Sequence, residues 1–206
     1  MTTILIINSA EKGITEFVQP LEKIVAEAEA TVDIIEYEET STPTTDMSAY
    51  DGIIMSGSPR GDDIVDHHLP YFQWIKTCKI PIFGICAGHH ITGKLYGAQL
   101  LRSVEKEVGD NFLFIRQQDP IFNGCPAKFL VRQNHHDSIT LPQNFILLAH
   151  SQGCRVSMMK HPAKPLYTTQ FHPEILNKNL ILNFIDIAGN QKNQSETRDK
   201  KESYNE

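Results

Sequence analysis

Apolar residues recur along this chain with two different rhythms. Thr3 to Ile7, Val32 to Tyr37, Tyr50 to Ser56 and the run from Pro81 to Ile85 are short, nearly continuous and rich in isoleucine. Runs of that length read as strands buried on both faces. Between the first two, Ile14, Phe17, Val18, Leu21, Ile24 and Val25 fall at helical spacing, which predicts a helix over Ile14 to Ala30 with Pro20 disturbing its first turns. Leu69 to Cys78 is expected to be a second helix, and the Ser/Thr/Pro-rich stretch Glu39 to Thr45 a loop. Strands alternating with helices predict an α/β fold: a mostly parallel sheet with helices on both faces, whose ligands bind beyond the carboxyl ends of the strands.

The second half changes rhythm. Ala98 to Arg102, Asn111 to Arg116, Lys128 to Arg132, Phe145 to His150, Cys154 to Met159 and Leu166 to Phe171 are short strand candidates, separated by turn residues that include Asn123-Gly124 and Gln152-Gly153. They predict antiparallel additions to the sheet. A last helix is expected from Ile175 to Ile187, carried by Leu176, Leu180, Ile181, Phe184 and Ile187. From Gly189 onward nearly every residue is polar or charged, so residues 1–188 are expected to form one domain and 189–206 a disordered tail that lacks the apolar surface to offset the entropy of ordering.

Composition narrows the functional classes. The chain has 206 residues, 40% of them hydrophobic, enough for one substantial core, and a formal charge of -6 that gives no electrostatic reason to expect nucleic acid or an anionic membrane as partner. No apolar run reaches membrane-spanning length, and the N-terminus reads as a first strand rather than a signal peptide. Cys78, Cys86, Cys125 and Cys154 show neither paired zinc spacing nor a dense disulfide framework, so reduced thiols in the cytoplasm are expected.

The candidate chemistry begins where the fourth strand ends, in Gly84-Ile85-Cys86-Ala87-Gly88. A strand turning sharply into a helix strains the corner residue, and the flanking glycines let the two backbones approach. A cysteine at that corner lies beside a helix N-terminus, whose free N–H groups favour a thiolate. Alone, such a cysteine is most simply a buried apolar residue; a basic partner is needed to make it a nucleophile. His172-Pro173-Glu174 offers one. Proline keeps His172 extended, residues two apart then point the same way, and a carboxylate on one imidazole nitrogen leaves the other for the sulfur. The doublets His67-His68, His89-His90 and His135-His136 do not make a metal site, since neighbours in sequence face different ways, and no HExxH or CxxC pattern occurs. Asp137 reads as a turn or loop residue, and Arg60, Asp62 and Asp63 as a solvated loop.

Gly84-Ile85-Cys86-Ala87-Gly88-His89 together with Gln170-Phe171-His172-Pro173-Glu174 resembles the class I glutamine amidotransferase family. That resemblance implies a flavodoxin-like sheet and a Cys86, His172, Glu174 triad. It also implies an oxyanion hole made by the N–H groups of Gly57 and Ser58, in the segment Ser56-Gly57-Ser58-Pro59, with Ala87 as a further donor. Val108-Gly109, the segment Asp119 to Gly124 and His135-His136-Asp137-Ser138-Ile139 are similar to the glutaminase domain of GMP synthetase. Three positions depart from the pattern: His90 where the family carries a glutamine that binds substrate, Val108 where the GMP synthetase branch has tyrosine, and His136 where it has glycine. His90, Asn134 and His135 are the expected substrate contacts. The implied reaction hydrolyses glutamine through a γ-glutamyl thioester, needs no cofactor, and passes ammonia to a synthetase. No P-loop signature occurs, so the acceptor chemistry is expected on a separate polypeptide. A free-standing cysteine hydrolase of γ-glutamyl compounds and a non-catalytic regulatory relative stay open beside it.

Overall fold

In the computed structural model, residues 1–41, 45–60 and 64–203 are described, with side chains through residue 191. The strands in chain order are β1 (Thr3–Asn8), β2 (Thr31–Glu36), β3 (Gly52–Met55), β4 (Ile82–Ile85), β5 (Leu100–Leu101), β6 (Glu107–Ile115), β7 (Lys128–His135), β8 (Ser138–Ile139), β9 (Ile146–His150), β10 (Met158–Lys160) and β11 (Leu166–Thr169). Nine of them form one sheet in the order β2-β1-β3-β4-β11-β10-β9-β6-β7, while β5 and β8 pair separately. β2, β1, β3, β4 and β11 are parallel; β10, β9, β6 and β7 each run antiparallel to the neighbour before them. This is the α/β architecture with antiparallel additions that the two rhythms predict, except that β11, read among the additions, pairs parallel with β4. It sends β1, β3, β4 and β11 toward one edge with their carboxyl ends together.

The helices are α1 (Gln19–Glu27), α2 (Val65–His68), α3 (Ala87–Leu95), α4 (Pro173–Leu176) and α5 (Lys178–Ser203). Three differ from the bounds read in the sequence, each for a local reason. α1 starts at Gln19, not Ile14, because Pro20 lacks an N–H and is accommodated only in a first turn. The Leu69 to Cys78 helix is a 3-10 segment, Leu69–Lys76, entered through Pro70 after the short α2. The last helix is broken at Asn177, whose backbone leaves the helical region while its side-chain amide donates to Leu130 O at 2.9 Å, drawing the chain against β7. Beyond Asn177, α5 runs to Ser203, past the expected end at Ile187. Residues 190–203 contain neither proline nor glycine, and a helix satisfies its own backbone without a packed face. Residues 204–206, like Asp62, Asp63 and residues 42–44 of the expected loop, lie outside the described residues.

Alternation along the parallel strands splits the core. Ile4, Ile6, Ile54, Phe83 and Ile85 face one side with Leu21 and Val25 of α1 and Leu180, Ile181 and Phe184 of α5. Leu5, Ile7, Ile53, Met55 and Ile82 face the other with Ile91 and Leu95 of α3 and Phe72 and Ile75 of the 3-10 segment. With both faces covered, each fully buried leucine, isoleucine or phenylalanine side chain contributes about 1.5–3 kcal/mol. The central strands therefore form a rigid base for the residues at their carboxyl ends.

Candidate active site

Cys86 stands between β4 and α3 at φ 48° and ψ -94°. A non-glycine residue held at positive φ costs about 1–3 kcal/mol and persists only where its surroundings enforce it. Two close approaches do so. A Cβ on Gly84 would lie 2.8 Å from Gly88 O, and one on Gly88 would lie 2.9 Å from Met55 Cβ, so only glycine lets α3 start this near β4 and β3. The Cys86 N–H donates to Thr169 O at 2.7 Å, which fixes the corner beside the end of β11. Three residues on from Thr169, the chain reaches His172.

His172 is anchored by its own backbone, its N–H donating to Arg132 O of β7 at 2.9 Å. Its Nδ1 is 2.8 Å from Glu174 Oε1, with both side chains buried. Since the carboxylate accepts, Nδ1 carries the proton, and the ring's other nitrogen is left for Cys86, whose sulfur acts on the ring. Burial opposes an imidazolium here, but the Cys86 sulfur and then the Glu174 carboxylate outweigh it, and the pKa of His172 is pushed up to about 10. Cys86 and His172 thus line one cavity, and the side-chain link in the row is the His172–Glu174 hydrogen bond.

A cavity of about 410 Å³ opens over this row, and Cys86, His172, Ser58, His90, Asn134 and His135 line it. Gly57 lies just beneath: a Cβ there would come within 3.0 Å of both His172 Cε1 and Phe17 Cδ1, so the backbone passes directly under the imidazole. Ala87, fully buried, is the first residue of α3, where N–H groups have no partner within the helix. His90 bonds through Nε2 to Gln170 Oε1 at 2.5 Å. Burial pushes its pKa down to about 4, so its ring is neutral at pH 7. His135 donates from Nδ1 to Asp137 O at 2.9 Å, and its Nε2 stands 3.9 Å from Glu107 Oε2. Glu107 is held below the usual carboxylate range: burial raises it, but His135, the Ser151 hydroxyl and the Gly153 N–H together outweigh that.

Some cavity residues were not singled out from sequence. Asp137, read as a turn or loop residue, lies between β7 and β8 and is buried; its carboxylate accepts from Ser103 N at 2.7 Å and from Arg102 Nη1 at 3.2 Å, and all three residues line the cavity. Phe17 lies over His172 with ring centroids 6.0 Å apart. Only the folded arrangement of β5 beside β8 brings Arg102 and Ser103 to Asp137, so no local spacing marks them. His89 and His68 point elsewhere, to Thr168 Oγ1 at 2.8 Å and Ser9 O at 3.0 Å. Among the described residues, no cluster of three or more His, Cys, Asp or Glu is placed to hold a metal ion.

Residues 14–183 match the family described as Glutamine amidotransferase class-I. The chain belongs to that family. Its amidotransferase relatives include a glutamine-hydrolyzing GMP synthase subunit of Methanococcus aeolicus, 34% identical over 146 residues, covering 67% of this chain and 74% of the relative. The protein of the same name from Pyrococcus abyssi is 33% identical over 156 residues, covering 72% and 82%. Among solved structures, a Thermoplasma acidophilum protein named for a GMP synthase subunit superposes with a TM-score of 0.85 at 26% identity, covering 95% of this chain and 98% of that one. The resemblance read from the two motifs and the α/β fold are both borne out for this amidotransferase. No helix among its described residues is long and apolar enough to cross a membrane.

Proposed function

We propose that this chain is the glutamine-hydrolysing subunit of a two-part amidotransferase of the GMP synthetase type, releasing ammonia for a separate ATP-dependent synthetase. The observation that carries the reading is the row Cys86, His172, Glu174 at a strained strand-to-helix corner, opening into a cavity of about 410 Å³. The names of the relatives support the branch.

In this reading the Cys86 thiolate attacks the γ-carboxamide carbon of glutamine, and the oxygen gains negative charge. The N–H groups of Gly57, Ser58 and Ala87 are the donors for it; one such donor contributes roughly 10²–10³ in rate. The tetrahedral adduct collapses as His172 gives its proton to the departing nitrogen, leaving a γ-glutamyl thioester on Cys86 and releasing ammonia. With a pKa of about 10 in the free protein, the ring enters the reaction charged at neutral pH. Attack on the carbon then takes away the sulfur's attraction, the larger of the two that keep His172 protonated. The ring loses its proton more readily and can take one from the water that hydrolyses the thioester to glutamate. Glu174 orients Nδ1 through both halves. His90, Asn134 and His135 are the substrate contacts of this reading, none needing a cofactor.

A second reading, a free-standing hydrolase of γ-glutamyl compounds, is favoured by His90, which stands bonded to Gln170 where the family carries glutamine and so alters one wall of the cavity. Ammonia and glutamate release separates the two, measured with glutamine and with γ-glutamyl peptides, with and without an ATP-dependent synthetase, against Cys86→Ser. Turnover of glutamine that is lost in Cys86→Ser supports the first reading. Turnover of γ-glutamyl peptides but not glutamine establishes the second.

A further inference from the structure

Beneath the candidate oxyanion hole runs a chain of three buried hydrogen bonds that the proposed reaction does not use. At the end of α2, His68 Nε2 donates to Ser9 O at 3.0 Å. Ser9 N–H donates to Ser56 Oγ at 2.9 Å, and Ser56 Oγ–H donates to Gly57 O at 2.9 Å. Ser9 and Ser56 are fully buried and His68 nearly so. A serine hydroxyl has one proton, and with Ser9 supplying the bond that Oγ accepts, that proton is committed to the Gly57 carbonyl.

The direction of that carbonyl matters because the Gly57–Ser58 peptide is trans, like every peptide bond described. In a trans peptide the C=O and the N–H point opposite ways. Holding Gly57 O toward the Ser56 hydroxyl therefore turns the Ser58 N–H the opposite way, away from Ser56, and Ser58 itself lines the cavity together with Cys86. No hydrogen bond among the described residues uses the Ser58 N–H. Gly57 supplies the ψ freedom that turning this peptide needs, while the turn would also carry Ser58 from its negative φ toward positive values, so the hydroxyl adds to a bias the backbone already has. A flipped peptide would present a carbonyl oxygen to the developing oxyanion, replacing attraction by repulsion.

We infer that Ser56 is a positioning residue of the reaction: its hydroxyl, oriented by Ser9 and through it by His68, locks the Gly57–Ser58 peptide with its N–H aimed at the oxyanion position. The inference rests on the glutaminase reading above for its kinetic part and on the geometry alone for its structural part.

The test is Ser56→Ala, with Ser56→Thr as the variant that keeps the hydroxyl. In a crystal structure of Ser56→Ala the Gly57–Ser58 peptide is expected flipped or in two orientations, whereas Ser56→Thr keeps one. For glutamine, kcat of Ser56→Ala should fall about 10- to 100-fold, less than outright loss of a donor, with KM within about threefold and activity recovered in Ser56→Thr. Alkylation of Cys86 by iodoacetamide, which develops no oxyanion, should keep its wild-type rate. A single wild-type peptide orientation in Ser56→Ala overturns the inference, as does undiminished kcat or a loss of alkylation in step with turnover. Should Ser56→Ala not fold, Ser56→Cys fills the space with a poor donor, and its crystal structure decides by the same peptide orientation. If the wild type turns over no glutamine, the glutaminase reading fails while the peptide orientation still decides this one.

Discussion

Replacing Glu174 with glutamine removes one charge from the candidate triad and almost no volume. The amide oxygen introduced there would still accept from His172 Nδ1, so the tautomer survives and only the charge is lost. Hydrogen bonds to charged groups are worth about 1.5–3 kcal/mol against about 1 for neutral pairs. The difference is about 0.5–2 kcal/mol, which at 1.36 kcal/mol per unit lowers the pKa of His172 by about 0.4–1.5 units from its value of about 10. The sign for stability follows. A histidine whose folded pKa is raised stabilises fully below its unfolded value, about 6.5, and loses that contribution as pH rises through the folded value. Wild type and Glu174→Gln should therefore differ most below about pH 8 and converge as pH climbs to about 10. Part of the gap will not depend on pH, because Glu174 Oε2 is buried without a hydrogen-bond partner among the described residues and an amide N–H₂ placed there would be unsatisfied. NMR titration of the His172 ring and urea midpoints across pH 6 to 10 measure the two effects. An unchanged His172 midpoint in the variant would refute the coupling.

Gly84→Ala should lower stability by about 1–3 kcal/mol, read from urea unfolding, because its Cβ would meet the Gly88 carbonyl, a backbone atom that cannot rotate aside, and it should cut Cys86 reactivity as well. His90 and His89, neutral with pKa values of about 4 and about 3, charge on unfolding, so stability present above pH 6.5 should be lost as pH falls toward 4, at on the order of 1.4 kcal/mol per unit for each ring. His90→Gln should remove about half of that slope in acid-dependent urea midpoints. Truncation after residue 191 should move the urea midpoint by the equivalent of less than about 0.5 kcal/mol, since among the described side chains the last buried one of α5 is Ala188.

The fold was legible because its signals are local. Continuous apolar runs marked the parallel strands, and Gly84 and Gly88 around Cys86 marked the corner that their close approaches require. Cys86 and His172 lie far apart in sequence, and the parallel pairing of β4 with β11, a strand read among the antiparallel additions, brings their strand ends together. Helix bounds were less legible. Pro20, Pro70 and Asn177 act through single backbone hydrogen bonds that periodicity does not weigh. Asp137 escaped notice because its partners Arg102 and Ser103 reach it only through β5 and β8, two-residue strands too short to leave a pattern. Ser56 was visible in a motif, but the proton it gives to Gly57 O could be seen only once the Ser9 N–H was found donating to its hydroxyl.

The central claim is that Cys86 is acylated by glutamine. Rapid acid quenching of the protein during glutamine turnover, followed by mass spectrometry of the peptide containing Cys86, tests it most directly, with a synthetase and ATP present if the chain alone is slow. The account predicts a γ-glutamyl group on Cys86 in the wild type and none in Cys86→Ala, which should also release no ammonia. Ammonia released at an undiminished rate by Cys86→Ala, or turnover with the acyl group on another residue, would contradict it.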